Sequence, residues 1–128
     1  MKLRIKGNSL RLRLTRTEVE RFVAQGMVEE ALEFGTGPGE SFVYRIRHDV
    51  SAESLNAEFA NSELTLRVHP DAAELWTGTE QVGIEAHNDI GNGRFLHILI
   101  EKDFACLTPR AGSDDLDTFA HPSAVEAC

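Results

Sequence analysis

Apolar and polar residues alternate from the start of the chain. In Leu3-Arg4-Ile5-Lys6, and again in Leu10-Arg11-Leu12-Arg13-Leu14, every second position is apolar. That is the period of a strand with one buried face. Gly7-Asn8-Ser9 separates the two runs. It reads as a hairpin turn or as a bulge in one long strand, with two short strands preferred. The period then changes. Val19, Phe22 and Val23 recur at helical spacing and form one stripe. Thr15 with Glu18, or Thr17 with Glu20, has the spacing of a capping box, and Gly26 is a natural stop. A helix of about ten residues is predicted there.

Strand patterns return at Val28 to Phe34, where three glutamates point to an edge open to water, and at Ser41 to Arg47. Leu55 to Phe59 and Leu64 to Val68 form a hairpin signal through Ala60-Asn61-Ser62-Glu63. Pro70 to Trp76 reads as a short helix with proline in its first turn and Gly78 as its stop. Val82 to His87 is a strand, and Asn88 to Gly93 carries turn chemistry. Arg94 to Phe104 is the most apolar stretch, expected to be a central strand with both faces covered. Trp76, Phe22, Phe42 and Phe95 are expected in the core.

The order is ββ-α-ββββ-α-ββ. The fold class expected is α+β, mainly antiparallel because the connections are short, with a strongly curved sheet or open β-barrel and two short helices. "Strands, short helix, strands" occurs twice, without a convincing internal repeat. Residues 1–110 are read as a single domain and 111–128 as a flexible acidic C-terminal tail.

Composition adds little until charge is placed along the chain. The 128 residues suit one domain, and 41% hydrophobic with 27% charged residues is ordinary globular usage. The net charge is −8, which disfavours general nucleic-acid binding. The basic residues gather early: Lys2, Arg4, Lys6, Arg11, Arg13 and Arg16 precede the first acid, Glu18, whereas only Arg94, Lys102 and Arg110 are basic after Val68. There is no apolar run of membrane length and no apolar leader-like opening. Cys106 and Cys128 are read as free thiols. A soluble, cytoplasmic protein is expected.

Two segments carry candidate chemistry. Lys2, Arg4 and Lys6 share one strand face, Arg11 and Arg13 another, and Arg45 and Arg47 a third. Brought together, they would line a surface that binds small anions through charge-assisted hydrogen bonds. Outward charge on a half-buried strand is also the ordinary solvated pattern. The second segment is Glu101-Lys102-Asp103-Phe104-Ala105-Cys106, with His97 just before it. No metal is expected; were one bound, His97, Glu101, Asp103 and Cys106 are the ligand types at hand. His48, His69, His87, His97 and His121 are scattered, although His87 and His97 would face each other in one register of the last hairpin. Carboxylates around Cys106 oppose thiolate formation, so nucleophilic catalysis is disfavoured. The glycine-rich pieces at 35–39 and 91–93 match neither a P-loop nor a dinucleotide fingerprint.

The opening Lys-Leu-Arg-Ile-Lys-Gly-Asn-Ser-Leu-Arg-Leu-Arg-Leu-Thr-Arg-Thr-Glu-Val and the close Leu-Ile-Glu-Lys-Asp-Phe-Ala-Cys-Leu resemble a family of small uncharacterised bacterial proteins, a domain of unknown function. Gly26 to Phe34, Trp76 and Val82-Gly83 fit the same pattern, over about residues 1–110. The resemblance implies a free-standing domain and brings no activity, ligand or catalytic residue. The reading is therefore a non-catalytic module with a basic strand face, binding a small anion or a protein, a second copy of the chain included, with no cofactor. The alternative is a small metal-assisted hydrolase acting on a phosphate compound.

Overall fold

The first strands form where alternation predicts them, β1 at Lys2–Lys6 and β2 at Ser9–Leu14. The computed structural model describes residues 1–104. Helix α1 (Arg16–Gln25) starts at Thr15, whose side chain accepts from the Glu18 N–H while Glu18 caps the Thr15 N–H in return. It stops at Gly26, which takes the left-handed conformation (φ 75°) and donates to Phe22 O at 2.8 Å. Glycine reaches that conformation without the penalty a Cβ would impose. Strands β3 (Met27–Glu33), β4 (Ser41–His48), β5 (Leu55–Ala60) and β6 (Glu63–Val68) follow. Helix α2 (Pro70–Gly78) comes next, its first turn capped by His69 Nδ1, which accepts from Asp71 N at 3.1 Å. The last two strands are β7 (Gly83–Gly91) and β8 (Arg94–Lys102).

The observed order is ββ-α-ββββ-α-ββ and the class is α+β. The strands divide into two four-stranded sheets, ordered β1-β2-β8-β7 and β3-β4-β6-β5, and neither closes into a barrel. Each sheet is made of two antiparallel hairpins set side by side. Their inner strands, β2 with β8 and β4 with β6, run parallel. Short connections do enforce antiparallel pairing within each hairpin. They say nothing about which hairpin lies beside which, and that is how the two parallel pairs arise.

This arrangement contains a repeat of topology. β1-β2-α1-β3-β4 and β5-β6-α2-β7-β8 have the same element order, and each gives its first hairpin to one sheet and its second to the other. Exchanging the two units converts one sheet order into the other. The sequences of the units do not reveal it, because a shared topology needs only shared alternation.

The inner faces meet in one cluster. Leu12, Leu14, Ile84, Ile98 and Ile100 of the first sheet join Val28, Ile46, Leu55, Leu64, Leu66 and Val68 of the second. Phe22 of α1 and Trp76 of α2 are both fully buried in it, and the indole Nε1 of Trp76 donates to Val82 O at 3.0 Å. Truncating such a residue to alanine typically costs about 3–5 kcal/mol. Gly83, beside it, has a steric reason: a Cβ there would meet Ile100 O at 2.5 Å. The sheet edges are tied on both sides. The amino group of Met1 pairs with Glu18 and with Glu30 (2.6 Å), and the Tyr44 hydroxyl lies 3.1 Å from both Met1 O and Glu30 Oε2. On the opposite side Asn88 donates to Leu55 O at 3.1 Å and accepts from Ala57 N at 2.9 Å. Asn88 is thus a strand residue whose amide bridges two sheet edges, although its type suggests a turn.

Two further expectations change. Strand β8 is central, but among the described residues only its inner face packs into the core; Phe95 is 46% exposed on the outer face and lies outside the core. Arg110, Cys106, Cys128, His121 and the segment 111–128 lie outside the described residues. Among the described residues no helix is long and apolar enough to cross a membrane.

Candidate functional site

Register places the early cations. Antiparallel pairing sets Lys2 opposite Arg13, Arg4 opposite Arg11 and Lys6 opposite Ser9. The parallel pair continues each row onto β8, where Arg13 meets Glu101, Arg11 meets Leu99 and Ser9 meets His97. Antiparallel β7 completes the rows with Gly83, Glu85 and His87. Because side chains alternate across a sheet, these residues share the outer face of the first sheet. The face is three rows deep: Lys2-Arg13-Glu101-Gly83, Arg4-Arg11-Leu99-Glu85, and Lys6-Ser9-His97-His87. Its β1–β2 half holds five cations; its β7–β8 half holds two imidazoles, a leucine and two carboxylates.

The face is braced from within. Glu101 Oε1 accepts from both Arg11 Nε and Arg13 Nε at 2.7 Å, so one carboxylate aligns two guanidinium groups. Lys2 Nζ lies 3.3 Å from Asp103 Oδ2. The 7–8 turn is pinned to the start of β8, with Asn8 Nδ2 donating to Phe95 O at 2.7 Å and His97 N to Asn8 O at 3.1 Å. An open groove of about 340 Å³ runs over the two rows nearest that turn, lined by Arg4, Lys6, Ser9, Arg11, Glu85, His97 and Leu99 among others. His87 and His97 face each other across the hairpin with ring centroids 4.3 Å apart, and Glu85 Oε1 lies 3.2 Å from His87 Nε2.

Arg45 and Arg47 do not join this surface. They lie on the outer face of the second sheet, where Arg45 opposes Glu29 and Thr65, and Arg47 opposes Met27 and Arg67. Arg45 donates to Glu29 (2.8 Å), to Thr65 (2.8 Å) and to Glu63. Its high pKa is pushed further up, foremost by the bond to Glu63. Arg47 and Arg67 each lie 3.4 Å from Asp49 Oδ2. The hydrogen bonds of Ser51 to Asp49, with the Arg67 cation, hold that carboxyl below its ordinary value. Glu29, Glu63 and Glu58 of the neighbouring strands, with Asp49 just past the end of β4, lie against these three arginines.

Of the metal-ligand types, Glu101 is engaged by Arg11 and Arg13 and Asp103 by Lys2. His97 faces His87, and Cys106 lies outside the described residues. Among the described residues no three His, Cys, Asp or Glu side chains converge with metal-ligand spacing. Sequence reasoning missed Ser9, which the β1–β2 hairpin already sets opposite Lys6 and beside Arg11, and Leu99 and Glu85, which only the β2–β8 and β7–β8 pairings bring into the row of Arg4 and Arg11.

Residues 1–123 match the model of a family of unknown function, DUF7009, and the chain belongs to that family. The match runs past residue 110, the end of the resemblance noted above. No curated protein and no solved structure matches the chain.

Proposed function

Membership of that family brings no activity with it, and we propose, from the geometry, that the protein is a non-catalytic anion-binding module. Its ligand is a small phosphate-class anion held on the outer face of the first sheet. The observation that carries this reading is the three-row lattice in which Lys2, Arg4, Lys6, Arg11 and Arg13 share one face. Guanidinium and ammonium groups on adjacent strands, about 4.8 Å apart, suit the several oxygens of one phosphoryl group.

The second sheet acts as an internal control. The two sheets exchange under the topological repeat, so their outer faces are built alike. On one face the arginines are met by Glu29, Glu58, Glu63 and Asp49. On the other, Glu101 is shared by Arg11 and Arg13 and Asp103 lies against Lys2, two carboxylates for three cations. The acidic surplus of the whole chain makes a local excess of cations harder to ascribe to bulk composition. A cytoplasmic setting, where phosphate compounds abound, belongs to the same proposal.

The test is a titration of the chain at low ionic strength with inorganic phosphate and pyrophosphate, followed by calorimetry and by NMR shifts. Saturable binding with a dissociation constant of about 1 mM or tighter is expected. Arg4→Gln and Arg11→Gln are each expected to weaken it about tenfold, the worth of one charge-assisted hydrogen bond. Absence of saturable binding, or an affinity untouched in the double variant, would sink the reading.

A further inference from the structure

The groove does not stop at the cations. It crosses from β1 and β2 onto β8 and β7, where the lining changes from Arg4, Lys6 and Arg11 to His97, Leu99 and Glu85. Phe95 lies next along β8 on the same outer face, one alternation from His97, and is 46% exposed. His87 stands against His97 with 52% of its side chain exposed. His97 lines the cationic groove, and His87 and Phe95 stand beside His97 on the same outer face, so three planar rings adjoin it. None of them contributes to the core. The imidazole pair is an ordinary cross-strand contact, and planar faces beside a phosphate site are also what a ring-bearing phosphate needs.

We propose that the groove is bipartite and takes a phosphate ester that carries a planar heteroaromatic body, a mononucleotide being the simplest case. The phosphoryl group lies against Arg4, Lys6 and Arg11, and the ring lies over His97, His87 and Phe95. Strand spacing sets the fit. From β1 to β8 is two inter-strand steps, about 10 Å, a span that a phosphate, a sugar and a base can bridge and a bare phosphate cannot. Ser9 and Glu85 border the middle of the groove and offer a hydroxyl and a carboxylate to the hydroxyl groups of a sugar. The acidic whole and the small size of the groove disfavour a nucleic-acid strand, which would need a longer basic track. This inference rests on the anion-binding reading and adds the class of ligand to it.

Three probes separate the two readings: inorganic phosphate, ribose 5-phosphate and adenosine 5′-monophosphate, titrated against the full chain at low ionic strength. The nucleotide is expected to bind about tenfold tighter than the sugar phosphate, the increment of one stacked ring. The double variant His87→Ala/His97→Ala, altered only at exposed positions, is expected to bind the nucleotide no better than the sugar phosphate and to keep the affinity for inorganic phosphate. Phe95→Ala is the second variant, with the same direction expected. If the nucleotide and the sugar phosphate bind alike to the unaltered chain, or if the variants weaken all three probes equally, the bipartite groove is overturned while anion binding stands. If none of the three binds, both readings fall together.

Discussion

His48 shows how burial at a single residue sets a response to pH. Its ring meets Phe22 edge-on with centroids 4.4 Å apart, and burial there lowers its pKa below the usual 6.5. The unfolded chain takes up that proton near 6.5, the folded chain only at a lower pH. Between those two values the unfolded state binds more protons, so stability falls as pH falls. Glu18 adds a second fall at more acidic pH. Burial alone would raise its pKa, but hydrogen bonds from the Met1 amino group and from Thr15 outweigh burial and hold it below 4.5. Its contribution is therefore complete above 4.5 and is lost as pH drops through the folded value. Melting temperatures measured from neutral pH downward are expected to decline first just below 6.5. His48→Gln is expected to flatten that first decline and leave the acid one in place. A variant that declines in parallel with the unaltered chain would refute the assignment. Nothing in the sequence separates His48 from the four other histidines, because its environment is made by Phe22 of α1 meeting the end of β4.

At the scale of elements, strands and helices were legible because alternation and capping are local. The Thr15–Glu18 box, the Gly26 stop and both early hairpin strands follow from spacing alone. Elements whose ends are set by distant partners were not legible. β7 runs on to Gly91, pairing with β8 as far as Arg94, and the Asn88 side chain finds Leu55 and Ala57 across the sheet boundary. Among the described residues neither helix packs on the outer face of β8, although its sequence is apolar enough for a covered strand. The β5–β6 turn offers a quantitative check on local rules. Asn61 and Ser62 both have positive φ, 52° and 62°, the conformation in which two-residue hairpins favour Asn-Gly. Serine holds the left-handed region at a cost of about 1 kcal/mol relative to glycine. Ser62→Gly is expected to stabilise the chain by up to about 1 kcal/mol, a rise of a few degrees in melting temperature. The backbone bond from Val43 N to Ser62 O, 3.1 Å, does not depend on the side chain. An unchanged or lowered midpoint would show that the turn is held by its neighbours and not by its own residues.

On the scale of the whole molecule, the two interlocked units pose the question of what each outer face is for. The candidate site was half legible: five of the cations proposed from sequence do share a face, while Arg45 and Arg47 belong to the other sheet. Alternation reveals which residues of one strand point the same way. It cannot reveal which hairpins become neighbours, and the β2–β8 pairing that builds the groove joins residues some ninety positions apart. The two faces predict opposite consequences for similar substitutions. Arg45 is 18% exposed and bonded to Glu29, Glu63 and Thr65. Arg45→Gln breaks that network and is expected to cost about 1 kcal/mol of stability while leaving phosphate affinity unchanged. On the other face, Arg4 and Lys6 are exposed strand residues beside the groove. Arg4→Gln/Lys6→Gln is expected to leave the unfolding free energy within about 0.5 kcal/mol of the unaltered chain, because exposed ion pairs contribute little, and to abolish most phosphate binding. Added salt should weaken binding to the unaltered chain, because exposed charges are screened over about 10 Å at 0.1 M ionic strength. Paired denaturation and titration of the two variants decide the matter. If both lose stability and neither changes affinity, the outer face of the first sheet is a solvated surface like its counterpart, and the charge layout is a folding device alone.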